Sequence, residues 1–142
     1  MIEHVVTDEE LRRIAATVTA KAQETFGSRP GQHLMGYVGA ALVAKSGAVH
    51  TGVVLNLEVG IGFCAESSAV AEMVKHGESR VARICASTAD GSPLPPCGRC
   101  RELLYQIDPA NLDTQVLMPT GSVALRSLLP NPWQPFWDQP VT

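Results

Sequence analysis

Apolar residues first recur at helical spacing. Leu11, Ile14, Ala15, Val18, Ala22 and Phe26 form one stripe, which predicts an amphipathic helix. Thr7 or Asp8 can cap its start, with Glu9 and Glu10 in the opening turn. Glycine and proline at 27–31 end it. Residues 33–44 are apolar on both alternating faces, which predicts a strand buried on both sides. Lys45-Ser46-Gly47 makes a tight turn, and residues 49–60 then alternate. Val49, Thr51, Val53, Leu55, Leu57 and Val59 share one face; His50, Gly52, Val54, Asn56 and Glu58 share the other. Together the two strands predict an antiparallel hairpin. A second helix is expected over 64–76, a strand over 80–87 and a Gly- and Pro-rich loop over 90–96. A third helix is expected over 97–107, with Cys100, Leu103, Leu104 and Ile107 on one side. Strands at 115–118 and 122–125 complete the pattern. The order α-β-β-α-β-α-β-β predicts one mixed sheet covered on both faces.

A length of 142 residues fits one domain over residues 1–142. With 45% hydrophobic and 18% charged residues, the composition is that of a globular protein. The net charge is -3. Basic residues are outnumbered and unclustered, which argues against a nucleic-acid partner. No apolar run reaches the roughly 20 residues a membrane span needs. Residues 1–10 carry acidic side chains and lack the basic and apolar regions of a signal peptide, so a cytoplasmic location is expected.

The four cysteines change the picture. Cys85 lies in an apolar run beside Ile84 and Ala86 and reads as a small buried hydrophobe. The other three stand where loops become helices, in Cys64-Ala65-Glu66 and Pro96-Cys97-Gly98-Arg99-Cys100. Free N–H groups at a helix start stabilise thiolates. Cys97 and Cys100 are three apart and can face one point. If the second and third helices begin side by side, Cys64 closes the triangle. Three thiolates leave the fourth tetrahedral position for water, which is the catalytic zinc pattern. Glu66, two residues past Cys64, can reach that water without binding the metal and act as proton carrier. A lone Cys-x-x-Cys also fits a redox pair or half of a structural zinc site. The preceding proline, the upstream Cys-x-Glu and the helix-start placement favour catalytic zinc. A non-enzymatic zinc-stabilised base-binding domain would have no use for Glu66.

At these motifs the sequence resembles the cytidine deaminase family, in particular its small homotetrameric members with three cysteine ligands. It also resembles blasticidin S deaminase, a related enzyme. Val38-Gly39-Ala40-Ala41-Leu42 looks like the family's first strand, and Thr51-Gly52-Val53 like the start of its second. Cys64-Ala65-Glu66 and Pro96-Cys97-Gly98-Arg99-Cys100-Arg101 match its zinc motifs, and Ser127-Leu128-Leu129-Pro130 resembles the segment before its C-terminal tail. The resemblance implies a three-layer α/β/α sandwich around a five-stranded mixed sheet. It implies one zinc per chain, held by Cys64, Cys97 and Cys100, and usually a homotetramer. The implied reaction is hydrolytic deamination of a cytosine-type nucleoside, cytidine or deoxycytidine. Water adds to the amine-bearing ring carbon, and Glu66 carries the proton to the ring nitrogen and then to departing ammonia. Deamination of a cytosine nucleoside antibiotic such as blasticidin S is the alternative. Asn56, Glu58 and Ala65 are the implied substrate contacts.

Three departures from the family pattern bear on the site. Asn56-Leu57-Glu58 has the form of the family's sugar-holding Asn-x-Glu but lies two residues later relative to Thr51-Gly52, a shift that preserves the face. Gly36, with Tyr37 beside it, stands where the family carries an aromatic residue. Moreover, the residue after Glu66 is Ser67, where cytidine deaminases often have arginine. Zinc with three thiolates carries a net charge of -1, and a cation hydrogen bonded to a ligand sulfur would offset it. Arg99 or Arg101 is the candidate cation; the alternative for Arg99 is a solvent or subunit-interface residue. His33, His50 and His76 are expected to be surface or structural. Trp133, Phe136 and Trp137 stand among prolines in the tail; such an apolar segment is expected to pack on its own core or close a neighbour's site.

Overall fold

A computed structural model describes residues 4–32 and 34–133. Helix α1 runs Asp8–Phe26. Thr7 caps it in a two-way capping box: the Glu10 backbone N–H donates to the Thr7 hydroxyl, and the Thr7 N–H donates to the Glu10 carboxylate. The sheet contains β1 (Gly39–Ala44), β2 (Val49–Val53), β3 (Val81–Ser87), β4 (Pro93–Leu94), β5 (Gln115–Met118) and β6 (Gly121–Ala124). Strand order is β2-β1-β3-β5-β6, a five-stranded path, with the two-residue β4 added beside β3. Among the described residues only β3 and β5 pair in parallel; the other pairs are antiparallel. Helices α2 (Ala65–Lys75) and α3 (Gly98–Ile107) and the one-turn α4 (Leu125–Leu128) follow β2, β4 and β6.

Alternation along β1 divides the core into two layers. Ala41 and Val43 pack with Leu11, Ala15, Cys85 and Leu117 under α1. Ala40, Leu42 and Ala44 face the opposite way, against Ala69, Val70 and Met73 of α2 and Leu104 of α3. This is the α/β/α sandwich that the sequence predicts. Cys85 is buried as expected, and burial pushes its thiol up to about 11.

Both hairpin strands are shorter than their sequence pattern. The chain turns at 34–36, with Gly36 at φ +69°, and β1 begins only at Gly39. Gly39 pairs with Val53, so β2 loses its partner there. Beyond that point the alternation continues but the strand does not. Instead Leu55 and Phe63 pair across a small loop, each N–H donating to the other's carbonyl at 3.1 Å. The tip at 58–61 carries Val59 at φ +56° and 90% exposed, a conformation unfavourable for a β-branched residue.

Two contacts fix the helices that matter for the site. A Cβ on Gly52 would lie 2.3 Å from the Ala69 nitrogen and 2.5 Å from the Ala65 carbonyl oxygen. The missing side chain thus lets α2 lie directly on β2. Gly52→Ala is expected to destabilise the fold by about 1–3 kcal/mol through overpacking, measured as a lowered denaturation midpoint. Helix α3 is held at its end by buried Asn111. Its amide accepts from Val81 N–H at 2.9 Å and donates to the Ser79 and Leu104 carbonyls, each at 3.0 Å.

Candidate metal centre

Cys64 and Cys97 occupy the same structural position. Each is the residue before a helix, in extended conformation, and neither forms a side-chain cap bond. The two sulfurs are therefore free to turn toward each other, 3.5 Å apart. Cys100, one turn into α3, brings its Sγ to 3.5 Å from that of Cys97. All three sulfurs lie within 4.8 Å of one another, and all three cysteines are free. Three thiolates around a tetrahedral zinc at 2.3 Å would be about 3.8 Å apart. The donor set and its spacing therefore fit zinc.

Glu66 sits in the first turn of α2, 5% exposed, with Oε2 at 3.5 Å from the Cys100 sulfur. Burial holds its carboxyl above the ordinary carboxylate range, while hydrogen bonds from backbone and thiol work the other way. Among the thiols, burial and then Cys97 raise Cys64. Burial and then the Glu66 charge raise Cys100. At Cys97 burial also pushes upward, but hydrogen bonds from the Cys100 backbone and the neighbouring thiols outweigh it, leaving the thiol below its usual value. A bound cation reverses this local balance, because a coordinating thiol is deprotonated outright.

Two clefts meet at Cys64 and Val54. One, of about 180 Å³, lies over Glu66 and Cys97, between Tyr37, Ala86, Leu94 and Pro95. The other, of about 250 Å³, is bounded by Asn56, Leu57, Phe63 and Arg99. Ala65 lines the first cleft beside Glu66. Asn56 therefore shares a cleft with a cysteine of the metal group. Glu58 lies in the exposed turn beyond it and is not a wall of either cleft. Arg99 reaches along the rim, its guanidinium donating to the Gly62 carbonyl at 3.5 Å. Arg101 is held by carbonyls, from Nε to Pro96 at 2.8 Å and from a terminal nitrogen to Leu128 at 3.1 Å. The sequence reading missed Ala86, Leu94 and Pro95 as cleft walls. They carry no chemical signature, and only the pairing of β4 with β3 brings them over Glu66. His50 is buried on β2, and His76 is exposed at the end of α2. His33, Phe136 and Trp137 lie outside the described residues.

Residues 7–114 match the family described as the cytidine and deoxycytidylate deaminase zinc-binding region. A cytidine deaminase from Halalkalibacterium halodurans is 37% identical over 82 residues, 57% of this chain and 61% of the relative. One from Mycobacterium tuberculosis is 39% identical over 70 residues, 49% of this chain and 53% of the relative. The matched stretch thus spans between about half and three-fifths of these relatives' length. Similarity in three dimensions extends further. A crystal structure of a mutant cytidine deaminase from M. tuberculosis superposes with a TM-score of 0.75 at 28% identity, covering 91% of this chain and 97% of that one. Among the described residues no helix is long and apolar enough to cross a membrane.

Proposed function

The chain belongs to the cytidine and deoxycytidylate deaminase zinc-binding family, and from that premise we propose that it is a zinc-dependent hydrolase that deaminates a cytosine-type nucleoside. The observation that carries this reading is the placement of Glu66. It is a buried carboxylate against the three-thiol group, at the floor of a cleft. Cys64, Cys97 and Cys100 would hold a zinc ion, which would supply Lewis acidity and make water more acidic.

The remaining work falls to the chain's own residues. The Glu66 carboxylate accepts one proton from the attacking water and passes it to the ring nitrogen of the base; it then takes the second, from the new hydroxyl on the ring carbon, and passes it to the amine, which leaves as ammonia when the carbon–nitrogen bond breaks. Its burial raises its proton affinity, which favours the protonated form needed for the second transfer. Tyr37, Leu94 and Pro95 offer apolar surface to a planar base and exclude bulk water. Asn56, a wall of the adjoining cleft, is the proposed contact for a sugar hydroxyl, with Glu58 as a second contact from the turn beyond it. Ala65 contributes the helix start beside the base. Spectrophotometric assays with cytidine, deoxycytidine, cytosine, blasticidin S and adenosine test the reading. Loss of the cytosine-type absorbance with cytidine or deoxycytidine is expected. Ammonia release from adenosine alone would overturn it.

Arg99 is proposed to offset the negative charge of the zinc–thiolate group from the rim of the cleft. Arg99→Ala is expected to reduce turnover or zinc retention by about 10–100-fold; unchanged values for both would remove Arg99 from the site. A homotetramer is proposed as well. Its support is the family resemblance together with apolar side chains left on the surface near the cleft, Val59 at 90% and Ile61 at 64% exposed. Sedimentation equilibrium is expected to give four chains per particle, and a stable monomer would refute the assembly.

A further inference from the structure

At the far end of α2 from Cys64, about 18 Å along the helix axis, two histidines meet. His50 projects from β2 on the face that carries Gly52, toward α2, and is 5% exposed. No described residue bonds its Nε2, although that atom is fully buried. A buried ring nitrogen without a partner is costly and calls for an explanation. His76, the C-cap of α2, stands beside it with ring centroids 5.1 Å apart. The rings are tilted by 41°, neither stacked nor edge-to-face, so ring packing alone does not account for the contact.

His76 is oriented by its own helix. Its Nδ1 lies 2.9 Å from the Glu72 carbonyl oxygen. A proton on Nδ1 donated to that carbonyl leaves the Nε2 lone pair free. A backbone carbonyl holding one ring nitrogen while the other is free is the arrangement seen in metal-binding histidines. The centroid separation also agrees. Two imidazoles bound at 2.0–2.1 Å to one tetrahedral zinc have centroids about 5 Å apart. A helix C-terminus favours a cation, and the exposure of His76 provides an entry path.

We propose that His50 and His76 form a second metal site, separate from the three thiols, which takes a divalent zinc-type ion through the two imidazoles, with water completing its coordination. Imidazole donors suit zinc, copper and nickel rather than magnesium or calcium. With two protein ligands the site is weaker than the thiol centre, so it fills only after that centre is loaded.

The test uses the protein already carrying one zinc per chain, titrated with zinc chloride in a calorimeter. A second, weaker equivalent per chain is expected. His76→Ala should weaken that equivalent by about tenfold or more, while the first zinc and basal turnover stay unchanged. His50→Phe should remove it, and because His50 is buried, His76→Ala decides the matter if that variant fails to fold. In nitrogen-detected spectra of the histidine rings, the second equivalent should move the signals of both His50 and His76. No second equivalent in the unaltered protein, or one bound equally well by His76→Ala, would overturn the proposal.

Discussion

Glu66→Gln is expected to lower kcat by roughly 10²–10⁴-fold while leaving the zinc content and the fold unchanged. Glutamine has nearly the same shape, so the buried pocket around residue 66 stays filled, and the three sulfurs retain their positions. The amide nitrogen cannot accept a proton from water, and the amide oxygen is a far weaker base than a carboxylate. Both transfers assigned to Glu66 therefore fail together. Metal analysis beside steady-state kinetics separates this outcome from simple loss of the ion. Near-normal turnover in a zinc-loaded Glu66→Gln protein would assign the proton transfers to another group.

Cys100→Ala is expected to have a comparably large effect by a different route. Cys100 is fully buried and is the one cysteine of the three inside a helix rather than before it. Its loss leaves two ligands, Cys64 and Cys97, at the mouths of two helices. Zinc per chain should fall from one to a small fraction, and turnover should fall to the background of zinc-free protein. Because an ion that binds only the folded state stabilises it by mass action, by about 2.7 kcal/mol at a hundredfold excess over Kd, thermal denaturation should also begin at a lower temperature. Chelation of the unaltered protein should reproduce both changes. Stoichiometric zinc in purified Cys100→Ala would exclude Cys100 as a ligand.

What the sequence makes legible depends on how local the determinant is. The extent of α1 follows from Thr7, Glu10 and the spacing of Leu11, Ala15 and Val18, all within one helix. The three thiols are legible because cysteine three residues from cysteine, and cysteine two residues before glutamate, carry meaning only in a few chemistries. The end of β2 is different. Residues 54–59 have the alternation of a strand, but a strand also needs a neighbour, and β1 starts too late to provide one. That limit is set by the turn at Gly36, 17 residues before Val53. The cleft walls are less legible still. Leu94 and Pro95 reach Glu66 through a two-residue strand, too short for any periodicity to reveal. The contact of Arg99 with Gly62 likewise joins two segments whose proximity depends on the whole sheet.

The placement of these parts also bears on how the proposed deaminase can diversify. The metal group stands on helix starts pressed against the sheet through Gly52 and tied down through Asn111. By contrast, Tyr37, Asn56 and Pro95 lie in connecting segments outside the regular helices and strands. Changes in those segments can reshape the cleft with little disturbance of the framework beneath. Drift in substrate preference is thus separable from retention of the chemistry: a lineage can change the molecule it accepts while the groups that hydrolyse it stay where they are.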